Sequence, residues 1–148
     1  MNPLQDIESE MTATVGNSHM RIGFVGCGRM AEAMAAGLIG AGTVRASQIC
    51  GSDVDPKRLI RLRKAHGIRT APCNREVVLS SDAIFLAVKP YQIGAVLEDL
   101  RDVITDGHLV ISIAAGVPLQ FIESMLAHGR IVRVMPNMPC LVSAGMSV

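Results

Sequence analysis

The chain alternates short unbroken apolar runs with stretches in which apolar residues recur every three or four positions. The first run, Ile22, Phe24 and Val25, meets Gly26-Cys27-Gly28 and passes into an Ala-, Met- and Leu-rich segment ending near Leu38. This reads as strand, glycine turn, helix. Residues 40–47 form a loop, and residues 48–52 a short second strand ending at Asp53. Asp55 suits a helix N-cap and Pro56 the first helical position. That helix runs to about His66, with Leu59, Ile60, Leu62 and Ala65 inward and Lys57, Arg58, Arg61, Arg63 and Lys64 toward solvent. Gly67 stops it, and a brief third strand follows at 68–71. Asn74 caps a short helix to about Leu79.

Residues 82–88, DAIFLAV, form a continuous apolar run, the pattern of a strand covered on both faces. Lys89-Pro90 closes it and opens a helix over 92–103, with Val96, Leu97 and Leu100 as its core side. Residues 109–114 make another buried strand. Pro118 starts a helix through Leu126, and residues 130–135 form a sixth strand. One more short strand is expected within 136–148. The alternation predicts an α/β chain: a doubly wound, mostly parallel sheet of Rossmann type with helices on both faces and right-handed crossovers. In such a sheet ligands lie outside the carboxyl ends of the strands. The segments 26–30, 52–55, 87–90, 112–116 and 135–137 should therefore line one edge.

The first of these segments carries a specific pattern. Gly26-x-Gly28-x-x-Ala31 is the dinucleotide fingerprint with alanine at its third position. Gly26 permits the tight turn, Gly28 lets a pyrophosphate approach the backbone, and Ala31 lets the helix pack close to the strand. The helix N-terminus then offers unpaired N–H groups to phosphates.

The formal net charge is +1 and aromatic residues make up 3% of the chain, so neither a basic stripe nor a stacking platform for nucleic acid is evident. The four cysteines, Cys27, Cys50, Cys73 and Cys140, are dispersed without a C-x-x-C pair. This pattern disfavours a metal or disulfide framework and fits reduced thiols in the cytoplasm. No apolar run reaches the roughly 18 residues that a membrane helix needs. Residues 1–19 carry acids but no Lys or Arg, unlike a secretory or organelle leader. They are expected to form a disordered tail before a single dinucleotide-binding domain at 20–148.

The segments GFVGCGRMAEAMAAGL, NREVV, SDAIFLAVKP, VISIAAGVPL and RIVRVMPNMPCLVSAGMSV resemble the N-terminal domain of pyrroline-5-carboxylate reductase, over about residues 20–148. The resemblance implies hydride transfer from NADPH or NADH to the C=N bond of 1-pyrroline-5-carboxylate, giving L-proline. It implies cofactor contacts at Val25, Gly26, Cys27, Gly28, Arg29 and Met30, and at Asn74; Ser52 and Asp53, at the end of the second strand, are cofactor-contact candidates by position. It also implies contacts at Ala87, Val88, Lys89 and Pro90, and at Ala114, Ala115 and Gly116. Pro136 and Asn137 would lie near the nicotinamide end. The family's helical C-terminal domain, which forms its homo-oligomer interface, is not expected within these residues. A second reading is therefore a non-catalytic nucleotide-binding module or partner-binding fragment.

Several residues have a plain structural reading beside the functional one. Asp53 is either an acceptor for the adenosine ribose hydroxyls, repelling a 2′-phosphate together with Asp55, or a turn residue. Val54 stands where many bacterial relatives have arginine, leaving Lys57, Arg58 and Arg29 as the nearest cations; NADPH is the family default, with NADH the alternative. Lys89 is a pocket candidate or a solvated lysine before proline. Asn74 is an adenosine contact, a helix cap, or both. Residues 112–116 provide close backbone approach to the nicotinamide or tight helix–sheet packing. Asn137, between Pro136 and Pro139, is a carboxamide or substrate contact or a turn. Cys27 lies beside a helix N-terminus that would lower its pKa, yet reads better as a small filler. The four histidines read as surface residues, the basic run 58–64 as a solvated helix face, and no metal site is expected.

Overall fold

A computed structural model describes residues 3, 5–7 and 19–135 of the 148-residue chain. Six strands, β1 (Ile22–Val25), β2 (Ile49–Ser52), β3 (Arg69–Thr70), β4 (Ala83–Leu86), β5 (Leu109–Ser112) and β6 (Arg130–Arg133), form one sheet in the order β3-β2-β1-β4-β5-β6. All five strand pairings are parallel. The helices are α1 (Arg29–Gly40), α2 (Pro56–His66), α3 (Asn74–Leu79), α4 (Ile93–Leu100) and α5 (Leu119–Met125). The chain winds outward from β1 to β3, then returns to place β4 beside β1, which puts the topological switch point between those two strands.

Strand residues alternate between two buried layers. Ile22, Phe24, Ile49, Ala83, Phe85, Leu109 and Ile111 face α1 and Leu62 of α2. Val25, Cys50, Ile84, Leu86 and Val110 face α3, α4 and α5 through Val77, Ile93, Leu97, Leu100 and Ile122. Period-2 alternation in which both faces are apolar produces the unbroken runs of the sequence. The Phe24 and Phe85 rings, register partners on β1 and β4, stack with centroids 4.7 Å apart. Met34 and Leu38 of α1 are fully covered, each contributing about 1.5–3 kcal/mol by burial.

The elements form where the pattern places them, with local differences. Asp55 caps α2 by accepting the Lys57 N–H at 2.9 Å, and Gly67 ends it at φ 73°. The buried side of α2 is narrower than expected: Leu62 is buried and Leu59 half-buried, whereas Ile60 and Ala65 are exposed. The N-cap of α3 is Cys73, not Asn74. The expected helix over 92–103 is a 3-10 turn (Pro90–Gln92) followed by the shorter α4. β4 is shorter than the apolar run: Asp82, held by the Arg21 guanidinium at 3.0 Å, lies before it, and Ala87 and Val88 follow it. Within the segment expected as a disordered tail, residues 3 and 5–7 are helical, and Ile7 is buried in the α1-side core. The expected strand beyond Met135 lies outside the described residues.

Candidate functional site

Register places Ser52, Val25, Leu86, Ser112 and Arg133 in one row across β2, β1, β4, β5 and β6. The loops leaving these residues therefore meet at one edge. Gly26 donates its N–H to Ser52 O at 2.9 Å, Ala87 to Val25 O at 2.8 Å, and Ile113 to Leu86 O at 3.2 Å. Gly26 turns at φ 95°, and a Cβ there would lie 2.8 Å from the carbonyl carbon and oxygen of Ala87. Gly28, by contrast, faces open space: nothing lies within 4 Å of the position its Cβ would take. It is also the N-cap of α1 and supplies no capping side chain. The first-turn N–H groups of a 12-residue helix are thus left for an anion. Ala31, buried against β1 and its neighbours, completes the cradle, and the arrangement fits a pyrophosphate.

The turn is braced from β2. Asp53 Oδ2 accepts the Cys27 N–H at 2.7 Å, and Oδ1 accepts the Asp55 N–H at 2.8 Å. The Asp53 side chain is only 4% exposed. Cys27 packs inward, with Sγ 3.4 Å from Ser52 O. A Cβ at Gly51 would come within 2.6 Å of that sulfur, a packing requirement that the sequence reading missed. Burial, then the negative charge of Asp53, pushes the Cys27 thiol up to about 12. The sulfur points into the core, which supports the reading of Cys27 as a small filler over a redox role. Ser52 Oγ donates to Asn74 Oδ1 at 2.6 Å, so Asn74 ties α3 to β2 rather than capping its own helix.

Beside the glycine turn lies a cleft of about 360 Å³ lined by Gly28, Arg29, Asp55, Lys57, Arg58 and Arg61. Four cations surround one carboxylate. Arg58 pairs with Asp53 at 3.5 Å and Asp55 at 4.0 Å, and Arg61 with Glu32 at 2.7 Å. Arg29 and Lys57 form no ion pair among the described residues. Arg58 and Arg61 are exposed, as the reading of residues 58–64 as a solvated helix face expects, and they also line this cleft. With Lys57, their spacing of three and four places them on the side of α2 that faces the turn.

Of the other candidates, Val25 is buried, Met30, Ala87 and Val88 are half-buried, and Arg29, Lys89 and Pro90 are exposed. The Lys89 N–H donates to Gln92 Oε1 at 3.0 Å. Ala114 is buried, its N–H donating to Ser112 Oγ at 3.4 Å, whereas Ala115 and Gly116 are exposed. Pro136 and Asn137 lie outside the described residues. Of the four histidines read as surface residues, His19 and His128 are exposed, whereas His66 and His108 are half-buried, with His66 3.1 Å from Glu32. His108 accepts the Thr105 N–H at Nδ1 and approaches Val78 O through Nε2 at 3.2 Å. Among the described residues no group of three or more His, Cys, Asp or Glu could hold a metal ion, and no helix is long and apolar enough to cross a membrane.

The family described as NADP oxidoreductase, coenzyme F420-dependent, matches residues 21–116. The chain is 44% identical over 129 residues to pyrroline-5-carboxylate reductase 3 of Bos taurus, covering 86% of this chain and 42% of that protein. The solved structure of a pyrroline-5-carboxylate reductase from Coxiella burnetii superposes with a TM-score of 0.79 at 38% identity, over 84% of this chain and 46% of the other. That of the Plasmodium falciparum pyrroline carboxylate reductase with NADP bound gives 0.73 at 29% identity, over 84% and 45%. The chain spans a little under half the length of each of these proteins.

Proposed function

This chain belongs to the NADP oxidoreductase family, and we propose that it forms the cofactor-binding part of a pyrroline-5-carboxylate reductase. The observation that carries the reading is the junction of the open glycine turn and uncapped α1 with the basic cleft. The pair suits a pyrophosphate beside a second phosphate, which is the pattern of NADPH rather than NADH. Gly26, Gly28 and the N–H groups of α1 would hold the pyrophosphate, and Arg29, Lys57, Arg58 and Arg61 the 2′-phosphate. The loops at 87–90 and 114–116, with Pro136 and Asn137, would flank the nicotinamide. When bound, the reduced nicotinamide supplies the hydride. The protein's own part is to fix the dinucleotide along the sheet edge and to form one wall around the imine, with Lys89 and Asn137 as pocket candidates. A protonated cyclic imine is already electron-poor, so the wall needs no nucleophile.

The same reading takes 1-pyrroline-5-carboxylate as substrate and a second copy of the protein, rather than nucleic acid or a membrane, as partner. It places the protein in the cytoplasm, where the free thiols of Cys27, Cys50 and Cys73 would stay reduced.

Calorimetric titration with NADPH and NADH tests the reading, followed by pyrroline-5-carboxylate-dependent NADPH oxidation in the same buffer. Binding of NADPH in preference to NADH, without turnover by this cofactor-binding part on its own, is the expected result. Turnover would show that these residues suffice for catalysis, and no binding of either dinucleotide overturns the assignment.

A further inference from the structure

The end of β2 in a dinucleotide-binding sheet is where an acid reads the ribose hydroxyls. In this chain that acid is otherwise occupied. A carboxylate has about four lone-pair sites, and three on Asp53 are taken: by the Cys27 N–H at 2.7 Å, the Asp55 N–H at 2.8 Å and the Arg58 guanidinium at 3.5 Å. Its side chain is 4% exposed, which leaves no surface for a sugar edge. The two strong bonds run to backbone groups on either side of the site, one inside the glycine turn and one at the start of α2.

We infer that Asp53 is a positioning residue that holds the phosphate loop through the Cys27 N–H and does not read the adenosine ribose. The inference rests on the nucleotide-binding reading above and deepens it. Removing one oxygen loosens the turn and weakens every ligand that uses it, whatever sugar that ligand carries. Choice between dinucleotides then falls to the neighbouring cations, because the charge of Asp53 is turned inward and paired with Arg58.

The test compares ADP with 2′,3′-dideoxy-ADP by calorimetry on the wild-type chain and on Asp53→Asn, with amide hydrogen exchange at Cys27 followed in both. The substituted carboxamide would present one acceptor and one N–H donor where two N–H groups now converge. Wild type is expected to bind the two nucleotides within about twofold of each other. Asp53→Asn is expected to bind both about tenfold more weakly, with faster exchange at Cys27. A wild-type preference for ADP of tenfold or more, or unchanged Cys27 exchange in the variant, overturns the inference. The wild-type comparison stands alone if the variant does not fold. Failure of ADP, NADPH and NADH all to bind overturns the functional reading itself; binding with a strong ribose preference overturns this inference only.

Discussion

Gly26 and Ala87 occupy space that admits no extra atom: a Cβ on Gly26 would sit 2.8 Å from the Ala87 carbonyl. The contact joins the loops after β1 and β4, the two strands flanking the switch point. The positive φ of 95° adds its own requirement for glycine. Gly26→Ala is therefore expected to destabilise the fold by about 2 kcal/mol or more, seen as a lower urea midpoint, and to abolish NADPH binding. Gly28→Ala is the matched comparison. Its φ of −79° suits alanine and its surroundings are open. It should leave the midpoint nearly unchanged while weakening NADPH at least tenfold, because the methyl group would occupy the phosphate position.

Lys57 lines the basic cleft without an ion pair among the described residues. Lys57→Ala should weaken NADPH about fivefold to tenfold, in line with one charge-assisted contact to phosphate, and change NADH less than twofold. The measurement is the ratio of the two dissociation constants at low and high salt. Equal losses for both dinucleotides would remove Lys57 from the selectivity.

Arg21 and Asp82 clamp the opposite end of β1 and β4. Asp82 accepts the Arg21 backbone N–H at 2.9 Å and its guanidinium at 3.0 Å. Burial opposes ionisation, but the hydrogen bonds and charge of Arg21 outweigh it and hold the Asp82 carboxyl below the usual carboxylate range. A depressed folded-state pKa stabilises the fold above the unfolded value, about 3.9. That stabilisation is lost as pH falls through the folded value. Asp82→Asn should thus be less stable than wild type at pH 7, with the two urea midpoints converging below about pH 4. A constant gap across that range would show that the ionised clamp contributes nothing.

Cys27 is buried and its thiol is pushed up to about 12, so it is protonated at neutral pH. Native-state alkylation read by peptide mass spectrometry should label exposed Cys73 within minutes and leave Cys27 and Cys50 unmodified. Rapid labelling of Cys27 would mean that the glycine turn opens readily in solution.

Much of this was legible in local pattern. The runs at 82–88 and 109–114 have no polar face, so they require cover on both sides, and only a sheet between helices provides it. Asp55, Pro56 and Gly67 mark the ends of α2 through their own backbone chemistry. The basic side of α2 was harder to read, because charges at helical spacing have the same pattern whether they face water or a neighbouring loop. Asn74 reads in the sequence as a cap, yet it is the first residue of α3 and its actual partner, Ser52, belongs to another element.

The sequence by itself determined the order of strands and helices, the glycine turn after β1 and the edge at which the loops gather. Those features follow from apolar periodicity, capping and φ preferences, all of which act within a few residues. The tertiary structure decided that the Asp53 carboxylate turns inward to Cys27 and that Cys27 packs against Gly51. It likewise decided that Lys57 and Arg61 share a cleft with Gly28. Each of these joins groups far apart in the chain, brought within hydrogen-bonding or packing distance by the parallel register of β1 and β2 and by the packing of α2 beside the glycine turn.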